Sequence, residues 1–250
     1  MATRDEFYTA LQFMTRLPVP RDNEHSDQSF ARSARFYPAV GLVVGAIAGL
    51  AYFLLGQVFP ENVATFLCIV VAVAATGALH EDGLADAADG LFGGRDRDHI
   101  LDIMRDHQVG IYGLIAVFFA VALKWSALFE WPSWSVVWVV ITAHVLSRHM
   151  IVEVIGRYEY ARAETSKFAR PQIEDEDLTY ARLWTAAVVI AALFLVGFSE
   201  VLIGAGLAIA AAAFLARFFT QKIGGYTGDC LGATQQVAEV AFLLGAVAWL

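Results

Sequence analysis

FYPAVGLVVGAIAGLAYFLLGQVF, residues 36–59, runs for 24 residues without one charged side chain. A helix rises 1.5 Å per residue, so such a run is long enough to cross a hydrocarbon layer about 30 Å thick. Gly41, Gly45 and Gly49 recur every fourth residue and leave one face of that helix bare for close packing against another helix. Outward from this stretch, further apolar runs lie at 62–79, 111–129, 134–147, 183–198, 201–216 and about 236–250. The pattern predicts an all-α fold: a polytopic integral membrane helical bundle of about seven transmembrane helices, forming one domain over 1–250.

Bulk composition agrees. Hydrophobic residues make up 58% of the chain, charged residues only 17%, and the mean hydropathy is +0.57. Soluble domains sit nearer one half apolar and one quarter charged. A net charge of -8 argues against a nucleic-acid partner, whereas membrane lipid is the expected surrounding. Cys68 lies in an apolar run and Cys230 in a polar stretch, which leaves no disulfide framework.

Residues 1–35 contain Arg4, Asp5, Glu6, Arg16, Arg21 and Asp22 and lack the apolar core of a signal peptide. Residues 6–17 alternate in the manner of a short interfacial helix, ended by Pro18 and Pro20. Lys and Arg fix the expected orientation. Connections 1–35, 80–110, 148–182 and 217–235 hold five, three, six and two of them, and the connections between these hold none. By the positive-inside rule the N-terminus and the long loops are cytoplasmic, and the cell inner membrane is the expected location. Lys124 is the remaining cation and falls within a span. The acidic run Glu174 to Asp177 reads as a solvated helix start.

Chemistry concentrates in three loops. HEDGLADAADG, residues 80–90, places Asp82, Asp86 and Asp89 at i, i+4 and i+7, which is one helical face. No Lys or Arg lies within the segment, so a divalent cation is the natural partner, and oxygen-only ligands favour Mg²⁺ (or Mn²⁺) over zinc. A zinc-protease reading of His80-Glu81 fails because Leu84 stands where the second histidine is required. MRDHQVGIYG, residues 104–113, offers Arg105 to a phosphate, Asp106 beside it, and Gly110 and Gly113 for close backbone approach. GGYTGDCLGA, residues 224–233, combines Gly224, Gly225, Thr227, Gly228 and Asp229 in a loop suited to phosphate or metal contacts. It is no Walker A loop, because no Gly-Lys-Ser/Thr follows. Carboxylates, glycines and arginines gathered on one membrane face fit metal-assisted transfer of a phosphorylated group.

These three segments, together with TRLPVP at 15–20 and FYPAVGLVVG at 36–45, resemble the cobalamin-5'-phosphate synthase (adenosylcobinamide-GDP ribazoletransferase) family in order along nearly the whole chain. The resemblance implies a membrane enzyme of the last steps of cobalamin biosynthesis. It would transfer the adenosylcobinamide-phosphate moiety of adenosylcobinamide-GDP to α-ribazole, or to α-ribazole 5'-phosphate, releasing GMP and using Mg²⁺. It also implies metal binding at Asp82, Asp86 and Asp89, and substrate contacts at Arg105, Asp106, Gly224, Gly225, Thr227 and Gly228. Asp82, Asp86, Asp229 and His80 become the catalytic candidates, with Asp86, Asp229 and His80 open as the general base. Self-association as a homo-oligomer is compatible with this reading. Two departures touch local substrate contacts only: His107 stands where the family often has Ser, and ETSKF at 164–168 lacks a glycine.

Two rivals come from other directions. A CDP-alcohol phosphotransferase shares the chemistry, but its pattern needs an arginine after the alanine, where Asp86 follows Ala85. A cation-coupled transporter needs ionisable residues within spans, and only Lys124 and Glu239 qualify.

Overall fold

A computed structural model describes residues 2–20, 27–106, 108–162, 173–248 and 250. His107 and residues 164–168 therefore lie outside the described residues. In chain order the helices are α1 Ala2–Met14, α2 Asp27–Ser33, α3 Tyr37–Leu55, α4 Glu61–Thr76, α5 Leu79–Gly93 and α6 Arg97–Ile103. They continue as α7 Ile111–Phe129, α8 Ser133–Arg157, α9 Asp175–Leu195, α10 Phe198–Ile223 and α11 Gly228–Val247. A 3-10 turn, Ala34–Phe36, joins α2 to α3.

Among the described residues six helices are long and apolar enough to cross a membrane, and there are seven such spans if the bent pair α4 and α5 counts as one. Large apolar side chains such as Phe118, Phe194 and Phe214 face outward, as a lipid solvent requires. The chain is a helical membrane protein, as its uncharged runs predict.

The glycine stripe of α3 does what its spacing predicts. A Cβ on Gly41 would stand 2.3 Å from the carbonyl oxygen of His144, and one on Gly45 would stand 2.7 Å from Cα of Ile141. The backbones of α3 and α8 are thus in direct contact. Gly204 of α10 and Gly245 of α11 meet in the same way, at 2.9 Å.

Several helices outrun the apolar windows because their charges are paired. α8 continues ten residues beyond the window ending at 147, to Arg157. Arg148 is accordingly no loop residue; it lies fully inside the bundle, with Nη1 3.1 Å from Nδ1 of His144. Glu153 of α8 binds Arg157 at 2.8 Å and Arg182 of α9 at 2.7 Å. The acidic start of α9 is likewise more than a solvated end. Glu174 and Asp177 form a capping box, and Asp177 is buried against Arg35 at 3.5 Å. Arg35 also pairs with Glu6 of α1, which fastens the amphipathic N-terminal helix to the bundle.

The second predicted span breaks after Thr76. Gly77 and Ala78 both adopt left-handed backbone, with φ of 66° and 59°, and α5 departs from α4 at 88°. A left-handed alanine is strained, and such strain collects at functional sites. Arg16 covers the break: its amide donates to the carbonyl of Ala75 at 2.8 Å, and its side chain lies over Gly77.

Candidate active site

The break turns α5 so that it crosses α11. Gly83 and Gly232 sit at the crossing, where a Cβ on Gly83 would lie 3.1 Å from both the carbonyl oxygen of Asp229 and Cα of Gly232. Asp82 adjoins Gly83 in this contact and the carbonyl oxygen of Asp229 takes part in it, so the crossing brings the two residues' backbones together. Asp82 is exposed, Asp86 is half-buried one turn further along α5, and Asp229 is half-buried in the first turn of α11.

Asp89 has a different setting. It is buried, and its two oxygens accept the amides of Gly110 at 2.7 Å and Gly113 at 2.9 Å. Those amides belong to the start of α7, which has no cap of its own. Asp89 therefore caps α7 from across the helix crossing, and the glycines give its carboxylate room, since a Cβ at either would fall 2.4 Å from it. The close backbone approach expected of Gly110 and Gly113 is thus to a carboxylate of the same chain.

The GGYTGD segment is built as a turn between two helices. Gly224 ends α10 in left-handed backbone, φ 78°, as glycine does at this position. Gly225 presses on the carbonyl of Glu159, and Tyr226 pairs with the segment after α8: its amide donates to Glu159 at 2.9 Å, and its carbonyl accepts from Ala161 at 2.9 Å. Thr227 is the N-cap of α11, accepting from the Cys230 amide at 3.3 Å and donating to Oδ2 of Asp229 at 3.1 Å. Gly228 is exposed, with open space where a side chain would be. Cys230 is buried in the helix, not in a polar loop.

Beside Asp229 opens a polar cavity of about 450 Å³ lined by Arg97, Asp102, Arg105, Tyr160, Arg162 and Gly224 among others. Arg162 donates to Asp229 Oδ2 at 3.4 Å, and Arg97 donates to the carbonyls of Ile223 at 3.0 Å and Ala161 at 2.8 Å. Arg105 lies at the rim, 3.9 Å from Asp102, and the exposed Asp106 accepts the amide of Gln108 at 3.1 Å. Burial pushes the phenol of Tyr160 above its ordinary range, with Arg162 and Arg105 opposing and Asp229 adding to the shift. Arg97 and Arg162 had no mark in the sequence to separate them from other loop cations. His80 is placed elsewhere. It is buried, lines an internal cavity with Lys124 and Glu239, and its Nε2 has no hydrogen-bond partner among the described residues.

Among the described residues no three His, Cys, Asp or Glu side chains form a ready metal cage. Two carboxylates, Asp82 and Asp229, with a guanidinium already on one of them, nevertheless suit a cation that takes its remaining ligands from water and substrate. Mg²⁺ is bound in this manner, through one or two carboxylates plus phosphate oxygens.

The comparisons with known proteins cover nearly the whole chain. The family model for cobalamin-5-phosphate synthase matches residues 6–247. Adenosylcobinamide-GDP ribazoletransferase of Leptothrix cholodnii is 41% identical over 246 residues, covering 96% of this chain and 93% of that one. The proteins of the same name from Ralstonia nicotianae and Shewanella amazonensis are 38% and 36% identical; each comparison covers 97% of this chain, with 94% and 95% of the relative. No solved structure matches the chain. Neither the CDP-alcohol phosphotransferase nor the transporter reading finds support among these relatives.

Proposed function

Because the chain belongs to the cobalamin-5-phosphate synthase family, we propose that it acts as an adenosylcobinamide-GDP ribazoletransferase, with its reacting centre where α5 crosses α11. The observation that carries the placement is the backbone contact of Gly83 with Asp229 and Gly232, beside the arginine-lined cavity.

In this reading Asp82 and Asp229 hold Mg²⁺, with Asp86 one turn away. When bound, the ion offsets charge on the pyrophosphate of the nucleotide-activated corrinoid. Arg162 and Arg105 receive phosphate oxygens in the cavity, and Arg97 keeps the cavity wall in place through its two carbonyl contacts. A hydroxyl of α-ribazole, or of its 5'-phosphate, attacks the phosphate attached to the corrinoid side chain. The bond from that phosphate to GMP breaks, and a carboxylate, Asp86 or Asp229, takes the hydroxyl proton. Asp89 supports α7 behind the centre.

The loops that carry cations gather at the same end of the bundle as the crossing: Arg16 at the α4/α5 break, Arg97 on Ile223, and Arg162 on Asp229. The short turns meet at the other end, where Ser133 donates to Glu61 at 2.6 Å. With the positive-inside rule, this favours a cytoplasmic site in the inner membrane.

The direct test supplies membranes containing the protein with adenosylcobinamide-GDP, α-ribazole and Mg²⁺, and identifies the products. A cobalamin plus GMP is expected. Release of a different nucleotide, or turnover that is indifferent to chelation, would refute the reading or its metal.

A further inference from the structure

The interior of the bundle holds a group of ionisable and amide side chains that the proposed chemistry does not use. Lys124 of α7 binds Oε1 of Glu239 at 2.7 Å and donates to Oε1 of Gln236 at 2.8 Å. Glu239 also meets Nδ1 of His144 at 3.1 Å and Gln235, and Gln235 in turn donates to Ser147 at 2.9 Å. Gln236 completes the path outward: its Nε2 donates to Oε1 of Glu81 at 2.9 Å. Each of Lys124, Gln235, Gln236 and Glu239 is at most 5% exposed.

Charges in such a place are expensive, and well-packed apolar side chains can give equal or greater stability. Their value lies in direction. α5 begins at two left-handed residues with no side-chain cap, at 88° to α4. It crosses α11 at Gly83 and Gly232, which have no side chains to interlock at that point. Gln236 lies two turns beyond Asp229 on α11, and Glu81 adjoins Asp82 on α5. A hydrogen bond between Gln236 and Glu81 joins the two helices close to their carboxylates, and Lys124 anchors it from a third helix.

We propose that this cluster is a positioning device for the reacting centre: Gln236, held by Lys124, acts through Glu81 to set the rotation and register of α5 so that Asp82 faces Asp229. The inference rests on the reading of those two aspartates as the metal-holding pair.

The test exploits the chemistry of the Gln236–Glu81 bond. Gln236→Glu keeps an acceptor for Lys124 but opposes a carboxylate to Glu81. Adding Glu81→Gln restores a donor and an acceptor with their places exchanged. The single variant is expected to lose on the order of ten- to a hundred-fold in kcat, and to bind Mn²⁺ more weakly in a titration of the purified metal-free protein. Its KM for adenosylcobinamide-GDP should be unchanged. The double variant should recover kcat and Mn²⁺ affinity together. Wild-type kcat and Mn²⁺ affinity in Gln236→Glu overturn the proposal, as does a double variant that recovers neither. Should Gln236→Glu fail to fold, Glu81→Met removes the same bond without burying a charge, and wild-type values there overturn it equally. Asp82→Asn and Asp229→Asn serve as the separate arm: if they retain turnover, the placement of the reacting centre fails, whereas loss there with a normal Gln236→Glu defeats only the positioning role.

Discussion

Gly83 of α5 and Gly232 of α11 touch backbone to backbone: a Cβ on Gly232 would stand 3.0 Å from Cα of Gly83 and 3.1 Å from the carbonyl oxygen of His80. The distance between Asp82 and Asp229 is set by this crossing. Gly232→Val should push the helices apart and reduce turnover on the order of a hundred-fold, because small displacements of reacting groups are that costly. Gly232→Ala should lie between this and the parent protein. Steady-state kinetics with a thermal melt on each variant provides the check.

Asp82→Asn should lower turnover on the order of a hundred-fold or more, since it removes a charge that faces the developing phosphate negative charge through the ion. The thermal midpoint should hold or rise, because Asp82 is exposed and Asp229 loses a like-charged neighbour. Chelation of the parent protein should give the same loss, reversed by added Mg²⁺.

Arg162→Ala takes the guanidinium from Asp229 and from the cavity wall. The expected result is a split: KM for adenosylcobinamide-GDP rises on the order of ten-fold for a lost charge-assisted contact, while Mn²⁺ binds as tightly as before or more tightly. A parallel fall in both would assign Arg162 to holding the fold.

Asp89→Asn leaves one carbonyl oxygen for two backbone amides and turns a second donor toward them. A buried unsatisfied group costs about 1–3 kcal/mol, so the thermal midpoint should fall. Amide exchange at Gly110 and Gly113 should quicken. Loss of Mn²⁺ binding at an unchanged midpoint would instead make Asp89 a metal ligand, as the spacing of the three aspartates suggested.

Gly41→Leu should destabilise the bundle by about 1–3 kcal/mol or more through overpacking, because its Cβ would meet the backbone of His144. Gly206→Leu is the matched control: beyond its own helical turn, no atom of the described residues lies within 4 Å of its would-be Cβ, and its midpoint should stay put. Detergent-solubilised protein and a fluorescence melt suffice for both.

The spans were legible because a lipid solvent writes itself into sequence as long uncharged runs, and the stripe of Gly41, Gly45 and Gly49 named the face of α3 that touches α8. Helix ends were less so. Arg148 and Glu153 broke the apolar pattern, although partners on the same or neighbouring helices let them stay within α8. The crossing of α5 and α11 beside Asp82 and Asp229 could be guessed from motifs but not seen, since it depends on the left-handed pair Gly77 and Ala78 that redirects α5. Period and spacing put Asp89 on the face of Asp82; they carry no information about α7 needing a cap. Lys124 and Glu239, the charges noted within spans, were the visible signs of the interior cluster, but they lie more than a hundred residues apart and nothing in the spacing paired them.

The short pairing of Tyr160 with Tyr226 has a mechanical consequence. With Glu159 and Ala161 both bonded to Tyr226, the segment after α8 and the turn before α11 must travel as one piece. Thr227 and Asp229 follow directly, so one wall of the arginine cavity cannot swing without dragging a reacting carboxylate along. Admission of a bulky substrate then has to come from the opposite wall, where Arg105 and Asp102 stand exposed at the end of the brief helix α6.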